Sequence, residues 1–191
     1  YKDVYPPSEM GLSYYNKLML SFPESEGLKE FLRAYLACIA FMDDQVGKVL
    51  NALENSKFSE NTIVVFTSDH GWQMGQKEYL YKNSPWEEST KIPMIIKTPQ
   101  KQLGEVLEPV SLIDIYPTLV DMCKLNKLSS TNRLELDGNS LTPLLKKPNS
   151  KSWEGSSGAL TLLGVGINHP IEGIGINKNK AASWHLSLIH I

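Results

Sequence analysis

Apolar residues in the first third of the chain recur at three- and four-residue spacing. Leu28, Phe31, Leu32, Tyr35, Ile39, Met42, Val46, Val49, Leu50 and Leu53 form one stripe, with Lys29, Glu30, Arg33 and Lys48 on other faces. This period predicts a long amphipathic helix starting at Gly27. The pattern then changes to the continuous run Thr62-Ile-Val-Val-Phe-Thr, β-branched and aromatic, which predicts a buried strand over 61–68. A second, Pro-bounded run predicts another strand over 92–97. Residues 1–26 are rich in Pro, Ser and Tyr and read as loop. Residues 111–122 predict a short helix beginning near Asp114, with Pro117 in or near its first turn. Asp137-Gly138 marks a turn before Leu141-Thr-Pro-Leu-Leu. From Lys146 onward Pro, Asn, Ser and Gly dominate, which sets a boundary near 146–157. Helix and strand patterns alternate, so the fold class is α/β.

The first strand runs directly into Ser68-Asp69-His70-Gly71-Trp72. Ligands of open α/β sheets bind at the carboxyl ends of strands. An adjacent aspartate and histidine can turn toward one ion if Gly71 bends the chain sharply. The plainer alternative is that Asp69 caps a helix start. The loop that follows holds Gly75 and the aromatic residues Trp72, Tyr79, Tyr81 and Trp86, which either stack on a sugar ring or pack in a core. Asp43 and Asp44 are neighbours on a helix and point about 100° apart, so they read as polar contacts rather than a metal pair.

With 191 residues, 41% hydrophobic and 21% charged, the composition is that of a globular protein able to bury a core. A net charge of −2 gives no electrostatic reason to expect nucleic acid or an anionic membrane as partner. No run of about 18 apolar residues exists to form a membrane-spanning helix. The chain begins at Tyr1 without a signal-peptide pattern, so it does not itself declare a compartment. Two cysteines, Cys38 and Cys123, make no disulfide framework, and Cys38 reads as a buried, inert thiol.

Four ordered motifs carry a family resemblance over roughly residues 1–145. They are Tyr35-Leu-Ala-Cys-Ile-Ala-Phe-Met-Asp43-Asp44-Gln-Val-Gly47, then Ser68-Asp69-His70-Gly71-Trp72, then Lys82 with Trp86-Glu87-Glu88-Ser-Thr-Lys-Ile92-Pro93, and Val110-Ser-Leu-Ile-Asp114-Ile-Tyr-Pro117 with Asp137-Gly138. Together they resemble the sulfatases of the alkaline phosphatase superfamily, nearest the iduronate-2-sulfatase type. The resemblance implies a mixed, mostly parallel sheet flanked by helices, incomplete here, with the start of a small C-terminal subdomain. Residues 1–150 would be the C-terminal part of the catalytic domain and 151–185 the start of that subdomain. The last six residues, 186–191, match the translation of a common sequencing adaptor and are set aside from the fold.

The same resemblance implies one Ca²⁺ ion bound in part by Asp69 and His70. His70 would touch the ion weakly, hydrogen-bond the sulfate or nucleophile, or serve only as a satisfied core residue. Lys82 would bind the sulfate and help the leaving oxygen depart, and Glu87 would orient Lys82 or, preferably, cap local backbone. Lys77 stands where many members have histidine, and the roles of His169 and His185 stay open. The family's formylglycine motif, Cys/Ser-x-Pro/Ala-x-Arg, is absent, because Cys38 precedes Ile-Ala-Phe-Met and Cys123 precedes Lys-Leu-Asn-Lys. The implied parent is a sulfuric-ester hydrolase of sulfated sugars or glycosaminoglycan units, periplasmic, extracellular or lysosomal. The chain alone is expected to be inactive. The alternatives are a metal-dependent phosphodiesterase or phosphonate hydrolase, and a non-catalytic relative.

Overall fold

A computed structural model describes residues 9–23, 26–100, 103–125, 136–148, 150–163 and 183–187. Its first element departs from the expected loop: α1 spans Glu9–Ser21. The prolines counted toward a loop, Pro6, Pro7 and Pro23, all lie outside this helix. Inside it Gly11, Leu12, Tyr15, Leu18 and Met19 turn inward at helical spacing. Gly11 lies against the Tyr79 ring so closely that an added Cβ would overlap it.

The apolar stripe forms α2, Glu26–Glu54. Exposed i,i+3 and i,i+4 ion pairs, Lys29–Glu26, Arg33–Glu30 and Lys48–Asp44, line its polar side. Gly27 is buried where α2 meets Leu18 and Phe22 of the preceding segment. Further along, Leu32, Leu36, Ile39 and Met42 remain exposed. Cys38 is exposed too, contrary to the buried thiol expected from its apolar neighbours. Helical periodicity marks a face to be covered, and among the described residues little covers this one.

Strand β1, Val64–Thr67, is shorter than the run that predicts it, because Thr62 closes the turn after α2 by donating Oγ1–H to the Phe58 carbonyl. It pairs antiparallel with β4, Met94–Lys97, from Val64 opposite Lys97 to Thr67 opposite Met94. Met42, Val46 and Leu50 of α2 and Val64, Phe66 and Ile95 of the strands border a common apolar groove. Between these strands lie β2, Gln73–Met74, and β3, Leu80–Tyr81, paired with each other, and the single-turn α3, Glu87–Thr90. Every strand pair among the described residues is antiparallel, so the mostly parallel part of the expected sheet is not displayed by them.

After β4 the chain builds its most buried cluster. Ile92, Met94, Val106, Val110, Leu141, Leu144 and Ala159 are buried together, with Ile96, Leu112, Ile115, Leu145 and Trp153 packed around them. Helix α4, Ile115–Met122, follows a 3₁₀ turn, Leu112–Asp114, and Ser111 with Asp114 forms a capping box at its entrance. The buried Asp114 accepts the Ser111 N–H at 2.7 Å and the Asn139 N–H at 2.8 Å. It thereby ties the helix entrance to the predicted Asp137-Gly138 turn. An added Cβ at Gly138 would lie 2.2 Å from the Ile113 carbonyl oxygen, so the turn fits only without a side chain. Helix α5, Thr142–Lys146, and the antiparallel strands β5, Ala159–Leu163, and β6, Ser183–Ser187, complete the described structure.

Candidate active site

The turn that leaves β1 is held by its own side chains. Ser68 Oγ donates to the His70 carbonyl at 2.8 Å, and the His70 N–H donates to Asp69 Oδ1 at 3.0 Å. Gly71 has a different role from the sharp bend expected of it, because its φ is not in the left-handed region. Its N–H donates to the Ser89 carbonyl at 2.8 Å, and a Cβ there would fall 2.1 Å from the Glu88 carbonyl oxygen. Gly71 is required by the close approach of α3.

This approach sets up the imidazole. His70 Nδ1 lies 2.8 Å from the Gly71 carbonyl oxygen, which can only accept, so Nδ1 carries the hydrogen. Nε2 then presents a lone pair, and Lys82 Nζ lies 3.0 Å from it, the ammonium donating. Lys82 arrives at the end of β3, and two residues from opposite ends of the loop meet. Asp69 stands aside: its side chain is 84% exposed, and Oδ2 is 3.6 Å from His70 Nε2. Asp69, His70 and Lys82 all border a cavity of about 350 Å³, whose other walls include Ser84, Ser89, Ser111 and Thr161.

The remaining candidates fall into place around this pair. Trp72 meets Tyr81 edge-to-face at 5.3 Å, Tyr81 meets Tyr14 at 5.7 Å, and Tyr79 meets Trp86 at 5.6 Å. The aromatic residues of the loop therefore pack on one another, and Tyr79 is buried with its hydroxyl donating to the Asn83 carbonyl at 2.7 Å. Lys77 Nζ sits 5.2 Å above the Trp86 ring, in a tight turn where Gly75, Lys77 and Glu78 all have positive φ. Glu87 is exposed in the first turn of α3, where a carboxylate faces the positive end of the helix. Asp44 bonds Lys48 and Gln45, as expected of polar contacts on a helix. His169 and His190 lie outside the described residues, and His185 on β6 is in register with Thr161 of β5.

The sequence reading missed two buried serines, Ser84 and Ser89, which brace the loop between His70 and Lys82. Serines carry no periodic signal, and their contacts are made across the fold. It also missed Gln73, fully buried with neither amide atom hydrogen-bonded.

Of the two residues expected to hold an ion, Asp69 offers the harder and more open donor. The Asp69 carboxylate is a hard oxygen ligand and open to solvent, which fits a divalent cation such as Ca²⁺ or Mg²⁺. The Nε2 lone pair of His70 faces an ammonium instead. Among the described residues no group of three or more His, Cys, Asp or Glu side chains stands close enough to share an ion.

The α/β framework, with a polar centre after β1, defines an alkaline phosphatase-like protein. It aligns over 80% of its length with the phosphonate monoester hydrolase of Silicibacter pomeroyi, at TM-score 0.66 and 25% identity, covering 29% of that chain. It also aligns with a protein solved in complex with its substrate D-glucosamine-2-N,6-O-disulfate, at TM-score 0.58 and 27% identity over 72% of this chain and 27% of that one. Residues 4–125 match the sequence profile of the family Sulfatase, and the chain belongs to the sulfatase family. It is similar to a sulfatase of Formosa agariphila, 42% identical over 49% of this chain and 19% of that protein. It is also similar to arylsulfatase K of Danio rerio, 33% identical over 81% of this chain and 28% of that protein. The chain thus spans between about a fifth and three tenths of the length of these relatives. The family is metal-dependent.

Proposed function

We propose that the protein carrying this chain is a sulfuric-ester hydrolase that removes sulfate from a sulfated sugar or glycosaminoglycan unit. The observation that carries this reading is the 3.0 Å contact between His70 Nε2 and Lys82 Nζ at the wall of a cavity beyond the end of β1. A sulfate ester is a small anion, and its cleavage builds negative charge on the departing oxygen. A lysine ammonium held in a fixed place acts as a point charge on that oxygen and needs no reorganisation when the charge develops. His70 supplies the holding: with Nδ1–H committed to the Gly71 carbonyl, Nε2 accepts from Lys82 and aims it. Asp69 is the residue that would hold a divalent ion, proposed as Ca²⁺, whose chemistry when bound is to draw charge from the sulfate oxygens. His70 could ligate the ion only by releasing Lys82.

In this reading the nucleophile, a formylglycine, lies outside the present sequence, since neither cysteine has the required neighbours. Residues 1–150 form part of the catalytic domain and 151–185 begin a smaller subdomain. The substrate proposal is supported by the solved neighbour that binds a sulfated glucosamine.

Fold similarity is shared with phosphonate monoester hydrolases, so the choice of ester is the direct test. The complete enzyme should turn over sulfated sugars with a kcat/KM at least about a hundredfold above that for matched phosphonate monoesters, a transition-state preference of about 2.7 kcal/mol. The reverse order of preference would contradict the proposal.

A further inference from the structure

We propose that Ser89 is a positioning residue that sets the separation of the His70 imidazole and the Lys82 ammonium. The proposal rests on the reading that these two groups form the active centre. Ser89 is buried and is bonded to both arms of the loop. Through its carbonyl it accepts the Gly71 N–H at 2.8 Å, which fixes the turn that carries His70. Through its hydroxyl it accepts Ser84 Oγ–H at 2.7 Å and faces the Tyr81 carbonyl at 3.5 Å. The Ser84 N–H in turn donates to the carbonyl of Lys82 itself at 2.9 Å. The residues on either side of Lys82 are therefore braced against the same serine.

Ser89 is itself anchored, its N–H donating to the Trp86 carbonyl at 2.9 Å, and the Gly71–Glu88 contact leaves no room to slide. Loss of the Ser89 hydroxyl would leave buried Ser84 without this acceptor and free the segment carrying Lys82 to shift.

In the complete enzyme, Ser89→Ala is expected to lower kcat for a sulfate ester by about tenfold or more, since misplacing a catalytic group by about 1 Å has effects of that order. The imidazole ¹⁵N spectrum should show His70 Nε2 losing its hydrogen-bonded shift. In a Lys82→Ala background the same change should alter kcat by less than about twofold, because the group being positioned is already gone. A serine with only a structural role would act equally in both backgrounds.

The proposal is overturned if folded Ser89→Ala stays within about twofold of wild type with an unaltered His70 spectrum. It is equally overturned if the loss is the same size in both backgrounds. Should Ser89→Ala fail to fold, Ser84→Ala carries the test with the same expectations, because it removes the donor to Ser89 and leaves the backbone contacts of α3. Failure of the underlying site reading looks different, as Lys82→Ala then keeps wild-type turnover. The His70 spectrum of Ser89→Ala still decides the positioning claim in that case: a shifted Nε2 resonance sustains it and an unshifted one ends it.

Discussion

Asp69 and His70 are adjacent in sequence and in contact, Asp69 Oδ2 lying 3.6 Å from His70 Nε2, yet their settings differ. The Asp69 carboxylate points into solvent beside the cavity, while the imidazole is locked between the Gly71 carbonyl and Lys82. In the function proposed here the metal falls to Asp69 and the orientation of Lys82 to His70. Asp69→Ala in the complete enzyme should therefore lose bound metal and activity together, and Asp69→Asn should bind the ion more weakly than wild type. Elemental analysis of purified protein alongside turnover reads both. Unchanged metal content and rate in Asp69→Ala would remove this residue from the metal site. At this scale residue type and order singled out Asp69, His70 and Lys82, and the structure brings all three to the wall of one cavity. Ser84 and Ser89 were not legible, because a buried hydroxyl acquires its meaning only from what packs against it.

The elements show where pattern succeeds and where it averages out. Helix α2 was readable because its apolar stripe persists over many turns, and Ile92, Met94 and Ile96 in and before β4 stood out as a Pro-bounded apolar run. Helix α1 was missed since prolines on both flanks coloured a composition taken over the whole segment, hiding the inward-facing Leu12, Tyr15 and Leu18. The glycines were marked correctly as special positions, but at Gly71 the cause is close packing rather than backbone freedom. That distinction is testable. A methyl at Gly138 must push on the Ile113 carbonyl and is expected to destabilise by about 1–3 kcal/mol through overpacking, with kcat nearly unchanged. Gly71→Ala meets the Glu88 carbonyl just as closely and is expected to lower thermal stability and kcat together, because α3 braces the site. Equal kcat for Gly71→Ala and wild type, measured on protein whose melting temperature has fallen, would separate α3 from the catalytic geometry.

Across the whole molecule, the best-packed region is the cluster of β4, α4, α5 and β5, and the polar centre lies beside it. The apolar side of α2 and the groove it shares with β1 and β4 are open among the described residues. Family membership was legible because several motifs occur in order, and the antiparallel pairing of β1 with β4 was not, since pairing between distant strands leaves no local pattern. The central claim is that the ammonium held by His70 stabilises the departing oxygen of a sulfate ester. It is tested most directly by kcat/KM for a sulfate ester in the complete enzyme and in Lys82→Ala, with folding checked by thermal melt. Removing one preorganised electrostatic contact is expected to cost roughly 3 kcal/mol, or about a hundredfold in rate. A folded Lys82→Ala enzyme within about twofold of wild type would contradict the account.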